Sequence, residues 1–206
     1  MITAKELREL EKHAEECGVT AQELMENAGR ETANQIEKKF SDSLKSKKVL
    51  VICGYGNNGG DGLVTARYLY DVCTVEVLCI GEKEQLSAES RLNYDLLHDI
   101  DSTCIMHYSP ENAPLLDLSK YDIVVDAMLG TGVKGEMFHP YSTLANAIND
   151  AEVYVVSVDV PSGVNPDAEK LPHKYVRPDM VVTLHDTKKA LTHFENVIIV
   201  DIGIPF

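Results

Sequence analysis

The chain has 206 residues and sets 33 acidic against 19 basic side chains, a formal net charge of −14. That balance excludes a phosphate-rich partner such as nucleic acid, whose binding depends on Lys and Arg releasing counterions. The length suits one domain over residues 1–206, and a chain of this size buries roughly 70% of its unfolded surface, so it needs neither disulfides nor metal to fold.

Two capping boxes open the chain, Thr3 with Glu6 and Thr20 with Glu23. Each is followed by apolar residues at helical spacing, Leu7, Leu10 and Ala14, then Leu24, Ala28 and Ile36, which predicts two helices before any strand. The charged start carries no secretory leader. Apolar runs such as 49–53 fall far short of the ~20 residues that a bilayer span needs. A soluble, cytoplasmic protein is expected. Cys17, Cys53, Cys73, Cys79 and Cys104 lack any CxxC spacing and read as small hydrophobes in a reducing compartment rather than as a disulfide or zinc framework.

After the basic stretch 45–48, expected as a solvated turn, seven β-rich runs follow: KVLVICG, TVEVLCI, TCIMHY, DIVVDAML, VYVVSVDV, MVVTL and VIIVDIG. Several are continuously apolar, the pattern of parallel strands covered on both faces. Helical stretches fall between them at 62–71, 88–99 and 140–150. The prediction is an α/β fold, a three-layer α/β/α sandwich with a Rossmann-like, mostly parallel sheet preceded by two N-terminal helices.

Gly54, Asp126 and Asp159 end apolar runs, and each leads into a glycine-bearing loop. Ligands of open parallel sheets bind beyond the carboxyl ends of the strands, so these loops form the expected site. Gly54 to Gly59 spell G-x-G-x-x-G, the dinucleotide fingerprint. Two details count against ordinary hydride transfer. Asp61 falls at the expected helix start, where it would cap the helix and repel a pyrophosphate, and the acid about 20 residues on, Glu76, lies inside a strand. Asn57, Asn58 and Asp61 suit hydroxyls, amides or a hard cation instead. In the second loop, Gly130, Gly132 and Gly135 offer backbone N–H groups to an anion, with Lys134 among them as a positive charge or a general acid or base. The third loop, Asp159-Val160-Pro161-Ser162-Gly163, presents a carboxylate and a hydroxyl outside any nucleophile elbow. None of the seven histidines forms a metal pair, and His185 at a strand end reads as structural.

VICGYGNNGGDGLVTARYL, DAMLGTGVKGE and VSVDVPSGVN, in this order and spacing, resemble the YjeF N-terminal family of NAD(P)H-hydrate epimerases. The resemblance extends from LMENAG to IVDIGIP. It departs at VVTLHDTKKALTHF, where the family tends to show a threonine-phenylalanine strand followed by a spaced lysine and glycine.

The resemblance implies an isomerase that interconverts the R and S epimers of hydrated NADH and NADPH, a cofactor-repair step. It implies substrate contacts from Asn57, Asn58, Gly59, Gly60, Asp61, Gly130, Thr131, Gly132, Val133, Lys134, Gly135, Glu136 and Asp159. A potassium ion, one per subunit, would be held by Asn58, Asp126 and Ser162. Lys134 and Asp159 are the catalytic candidates. A homodimer is expected, with no dehydratase domain in 206 residues and a separate dehydratase acting in sequence. The alternatives are an NAD-dependent dehydrogenase, for which no catalytic His or Tyr-x-x-x-Lys is found, and a non-catalytic nucleotide-binding or RNA-decay scaffold of the same fold.

Overall fold

The computed structural model describes residues 1–109, 116–132 and 135–205. Both capping boxes form as expected, with the Thr3 and Thr20 hydroxyls accepting from the Glu6 and Glu23 amides and each glutamate returning to its cap, starting α1 (Ala4–Glu16) and α2 (Ala21–Phe40). Such caps contribute about 1 kcal/mol each by satisfying N–H groups that the helix cannot.

All seven apolar runs are strands: β1 (Lys48–Cys53), β2 (Thr74–Cys79), β3 (Ile105–His107), β4 (Ile123–Ala127), β5 (Tyr154–Val158), β6 (Met180–Leu184) and β7 (Val197–Val200). They form one parallel sheet in the order β3-β2-β1-β4-β5-β6-β7. Between them lie α3 (Asn57–Tyr70), α4 (Ala88–Ile100) and α5 (Tyr141–Asp150).

The continuous apolarity of β1 follows from cover on both faces. Val49, Val51 and Cys53 enter one core with Leu7, Leu24, Ile36, Leu63 and Leu97 from α1 to α4, whereas Leu50 and Ile52 enter the other with Leu144 and Ile148 of α5. The layers are therefore unequal, four helices against one helix and loops. The basic stretch is not a simple solvated turn: Lys48 begins β1, and Lys47 and Lys48 pair with Asp122 and Glu76.

Three of the five cysteines behave as the expected buried hydrophobes, whereas Cys17 is exposed and Cys73 is half-buried. All five are free, and Cys53, Cys79 and Cys104 are buried, with burial pushing the Cys79 thiol up to about 12. Among the described residues no helix is long and apolar enough to cross a membrane.

The chain runs outward through β2 and β3 and returns to β4 on the other side of β1. The crevice between the carboxyl ends of β1 and β4 is thus the topological switch point, where ligands of such sheets bind.

Candidate functional site

The first two loops meet face to face at this crevice. The Gly54 N–H donates to the Ala127 carbonyl at 3.1 Å. A Cβ on Gly54 would lie 1.9 Å from the Met128 carbonyl oxygen, and one on Gly59 would lie 1.9 Å from the Gly54 carbonyl. These two glycines let the chain pack on itself, whereas Gly56 and Gly132 have open space where a Cβ would stand.

Helix α3 begins at Asn57, five residues before the expected start, with Gly56 as its cap and no side chain bonding its first turn. Asp61 therefore sits in the second turn and does not cap the helix. The N–H groups of Asn57, Asn58 and Gly59 point out of the helix start without intrahelical acceptors, a ready anion site, while the Gly60 N–H is taken by the Gly56 carbonyl at 3.2 Å. Glu76 stands in the amino-terminal half of β2, where it pairs with Lys48 and accepts from the Tyr121 hydroxyl at 2.5 Å. It holds strands together and lies at the wrong end of the sheet to read a ribose.

Asp126 is buried in β4. Its Oδ1 accepts from the Ser162 hydroxyl at 2.5 Å and the Met128 N–H at 3.4 Å, and its Oδ2 from the Ser157 hydroxyl at 2.8 Å and the Ser162 N–H at 2.9 Å. Burial pushes this carboxyl up, against the pull of those bonds. No cationic side chain among the described residues pairs with it. Ser162 Oγ also accepts from the Leu129 N–H at 2.9 Å, and an added Gly130 Cβ would touch Asn58, so Asn58, Asp126 and Ser162 all border the second loop. The buried Asn58 Nδ2 has no acceptor. This oxygen-rich set around a carboxyl without a cationic partner is of the donor type that suits a hard cation, although among the described residues no three His, Cys, Asp or Glu side chains gather as a metal site.

Thr131 is half-buried, while Gly132, Gly135 and Glu136 are exposed, and Gly135 has φ +87°, a conformation that suits glycine. Val133 and Lys134 lie outside the described residues.

The lysine that meets Asp159 is Lys188, which sequence reasoning missed. Its Nζ lies 2.5 Å from Asp159 Oδ1, 2.9 Å from Thr183 Oγ1 and 2.8 Å from the Leu184 carbonyl. Lys188 is fully buried and Asp159 nearly so. Asp159 has φ +63°, an uncommon conformation for a side chain bearing a Cβ, and also accepts from the Leu184 N–H at 3.2 Å. The available signal was the departure at HDTKKAL, where Lys188 follows a strand end and precedes the apolar Ala190 and Leu191.

Asp61 is 7% exposed and has no side-chain hydrogen bond among the described residues. Burial, then Asp159 and Glu11, push it well above the ordinary carboxylate range. An open groove of about 440 Å³ between α1 and the segment after β6, lined in part by Glu6, Leu10, His185 and Asp186, shares none of these residues. Asp61, Asp126 and Asp159 are buried at or just beyond the carboxyl ends of β1, β4 and β5, and they mark the candidate site.

A parallel doubly wound sheet with polar groups at the carboxyl ends of its strands places the chain among the Rossmann-like α/β proteins. The family described as "YjeF-related protein N-terminus" matches residues 21–190, and the chain belongs to that family. It is 34% identical over 192 residues to the NAD(P)H-hydrate epimerase of Nitrosopumilus maritimus, covering 92% of this chain and 87% of that one. It is 37% identical over 210 residues to the bifunctional NAD(P)H-hydrate repair enzyme of Hyperthermus butylicus, covering 99% of this chain and 38% of that one. The chain thus spans well under half the length of that bifunctional relative. The crystal structure of yeast ynu0 superposes with a TM-score of 0.86 at 26% identity, over 100% of this chain and 89% of that one.

Proposed function

We propose that this protein is an isomerase that equilibrates the R and S epimers of hydrated NADH and NADPH. The relatives named for that activity support the reading, and the single observation that carries the chemistry is the buried Lys188–Asp159 pair, with the Asp61 carboxyl pushed up by burial. Two titratable carboxyls in contrasting environments are what acid and base catalysis from opposite roles requires.

The hydrated ring bears a hydroxyl on the carbon next to the ring nitrogen. Asp61 gives its proton to that hydroxyl, the C–O bond breaks with its electron pair leaving as water, and the nitrogen lone pair forms an iminium. Water then adds to the other face while Asp159, held by Lys188, accepts its proton, and exchange with solvent takes that proton from Asp159 and returns one to Asp61, restoring both groups. No electrons are gained or lost, so no second cofactor is consumed. The free N–H groups at the start of α3 hold the phosphates, with the glycines of the second loop facing them, and the Asn58 amide donates to the ligand. Lys188 is added to the catalytic candidates as the lysine that holds Asp159, and Lys134 keeps the acid or base role that the resemblance implies.

Asn58, Asp126 and Ser162 would hold a potassium ion, which would supply positive charge for phosphates that a chain of net charge −14 otherwise repels. A homodimer in the cytoplasm, with a dehydratase consuming one epimer, completes the reading; equilibrium sedimentation tests the dimer.

The deciding experiment incubates the protein with the purified R epimer of hydrated NADH and follows both epimers by chromatography. Equilibration faster than the spontaneous rate is expected. No acceleration overturns the reading, and turnover of intact NAD with an alcohol in its place would favour a dehydrogenase.

A further inference from the structure

The inward face of α4 changes character along its length. Tyr94 and Leu97 enter the apolar core, but Ser90 and Asn93, one turn nearer the start of the helix, are fully buried polar side chains. Helical spacing calls for apolar residues at those positions, and a buried hydroxyl is costly unless it is bonded. Ser90 is bonded to the loop that opens α3. Its Oγ donates to the Gly56 carbonyl at 3.0 Å, and the hydroxyl of Ser87, the cap residue of α4, donates to Ser90 Oγ at 2.9 Å. The Ser87 N–H also donates to the Tyr55 carbonyl at 3.3 Å. Asn93 donates to Met25 Sδ at 3.3 Å, and a Cβ on Gly60 would lie 2.5 Å from that sulfur and from Ser90 Oγ. The missing side chain of Gly60 is therefore what lets Ser90 reach the loop.

Gly56 caps α3, and its carbonyl already accepts the first bond of that helix, from the Gly60 N–H at 3.2 Å. Ser90 occupies the second lone pair of the same oxygen. No side chain caps the first turn of α3, so the orientation of the Asn57, Asn58 and Gly59 N–H groups is held from outside, by α4. Asn58, 9% exposed and with no acceptor for its Nδ2, lies in this same turn.

Resting on the epimerase reading, in which those N–H groups hold the substrate's phosphates, we propose that Ser90 is a positioning residue of this site. Its hydroxyl, itself held by Ser87, fixes the cap of α3 so that the three N–H groups are oriented before the substrate arrives, which lowers the cost of ordering them on binding.

The first test is the steady-state kinetics of the R epimer with the parent, Ser90→Ala and Leu97→Val. Alanine favours the helix and removes only the hydroxyl, so this variant keeps the fold. Its KM is expected to rise about tenfold with kcat nearly unchanged, the signature of lost binding common to ground and transition states. Leu97→Val weakens the same helix two turns away from Ser90, and its KM should equal the parent's. A KM unchanged in Ser90→Ala, or raised equally in Leu97→Val, overturns the proposal.

The second test needs no turnover. Amide NMR follows Asn57, Asn58 and Gly59 during titration with intact NAD, which carries the same pyrophosphate as the hydrated cofactor. All three signals are expected to move in the parent, and half-saturation should require about tenfold more NAD in Ser90→Ala. Signals that stay in place in the parent, or equal half-saturation in the two proteins, overturn the proposal. A parent that fails to equilibrate the epimers removes the epimerase reading, while the titration still decides whether Ser90 sets the phosphate-binding turn.

Discussion

Lys188 Nζ lies 2.5 Å from Asp159 Oδ1 with neither group open to bulk solvent. The two residues come from opposite sides of one structural joint. Asp159 leaves β5 through a left-handed turn, and Lys188 returns from the segment after β6, the strand hydrogen-bonded to β5. Thr183 and the Leu184 carbonyl fill the remaining donor positions of the ammonium, so the pair is both desolvated and satisfied.

Removing one partner of a buried pair leaves the other charged and unmatched, which costs about 3–5 kcal/mol. Lys188→Met should therefore lower the urea midpoint of unfolding, and the double variant with Asp159→Asn should cost less than the two single changes summed. Either single change should slow epimer equilibration by roughly 10²–10⁴. A folded Lys188→Met protein with the parent's rate would remove the lysine from the mechanism.

Asp61 provides a pH signature. Its folded-state pKa is raised by burial, so its contribution to stability is fully present below the unfolded value near 3.8 and is lost as pH rises toward the folded value. Asp61→Asn removes that loss. The variant should match the parent near pH 3.5 and exceed it in melting temperature at pH 7, while losing most of its activity. Equal melting temperatures at both pH values would show that Asp61 is not desolvated.

A bound cation should appear in stability before it appears in kinetics. Potassium chloride is expected to raise the parent's melting temperature beyond an equal ionic strength of choline chloride, by mass action on the folded state. Asp126→Asn should abolish that difference. Sodium in place of potassium shows how far the oxygen set discriminates between them.

The two kinds of glycine in the loops separate cleanly by substitution. Gly54→Ala drives a methyl group against the Met128 carbonyl and should destabilise by about 1–3 kcal/mol, as overpacking does. Gly132→Ala, with nothing near its added methyl, should stay within about 0.5 kcal/mol of the parent. Chemical denaturation of both variants checks the contrast.

The sequence by itself determined the layers and the loops. Runs such as KVLVICG are apolar throughout because both faces of a parallel strand are covered, and the threonine caps announce α1 and α2 through contacts only three residues long. The glycine loops after β1, β4 and β5 were equally legible, since turns and strand ends are local events. What tertiary structure decided is which side chains meet. Lys188 reaches Asp159 only because β5 and β6 lie side by side. The role of Gly54 within the G-x-G-x-x-G pattern is likewise tertiary, since its missing side chain makes room for the Met128 carbonyl. Periodicity reports the face on which a residue lies, whereas a buried ion pair depends on distant segments converging, and that convergence is set by the packing of the sheet.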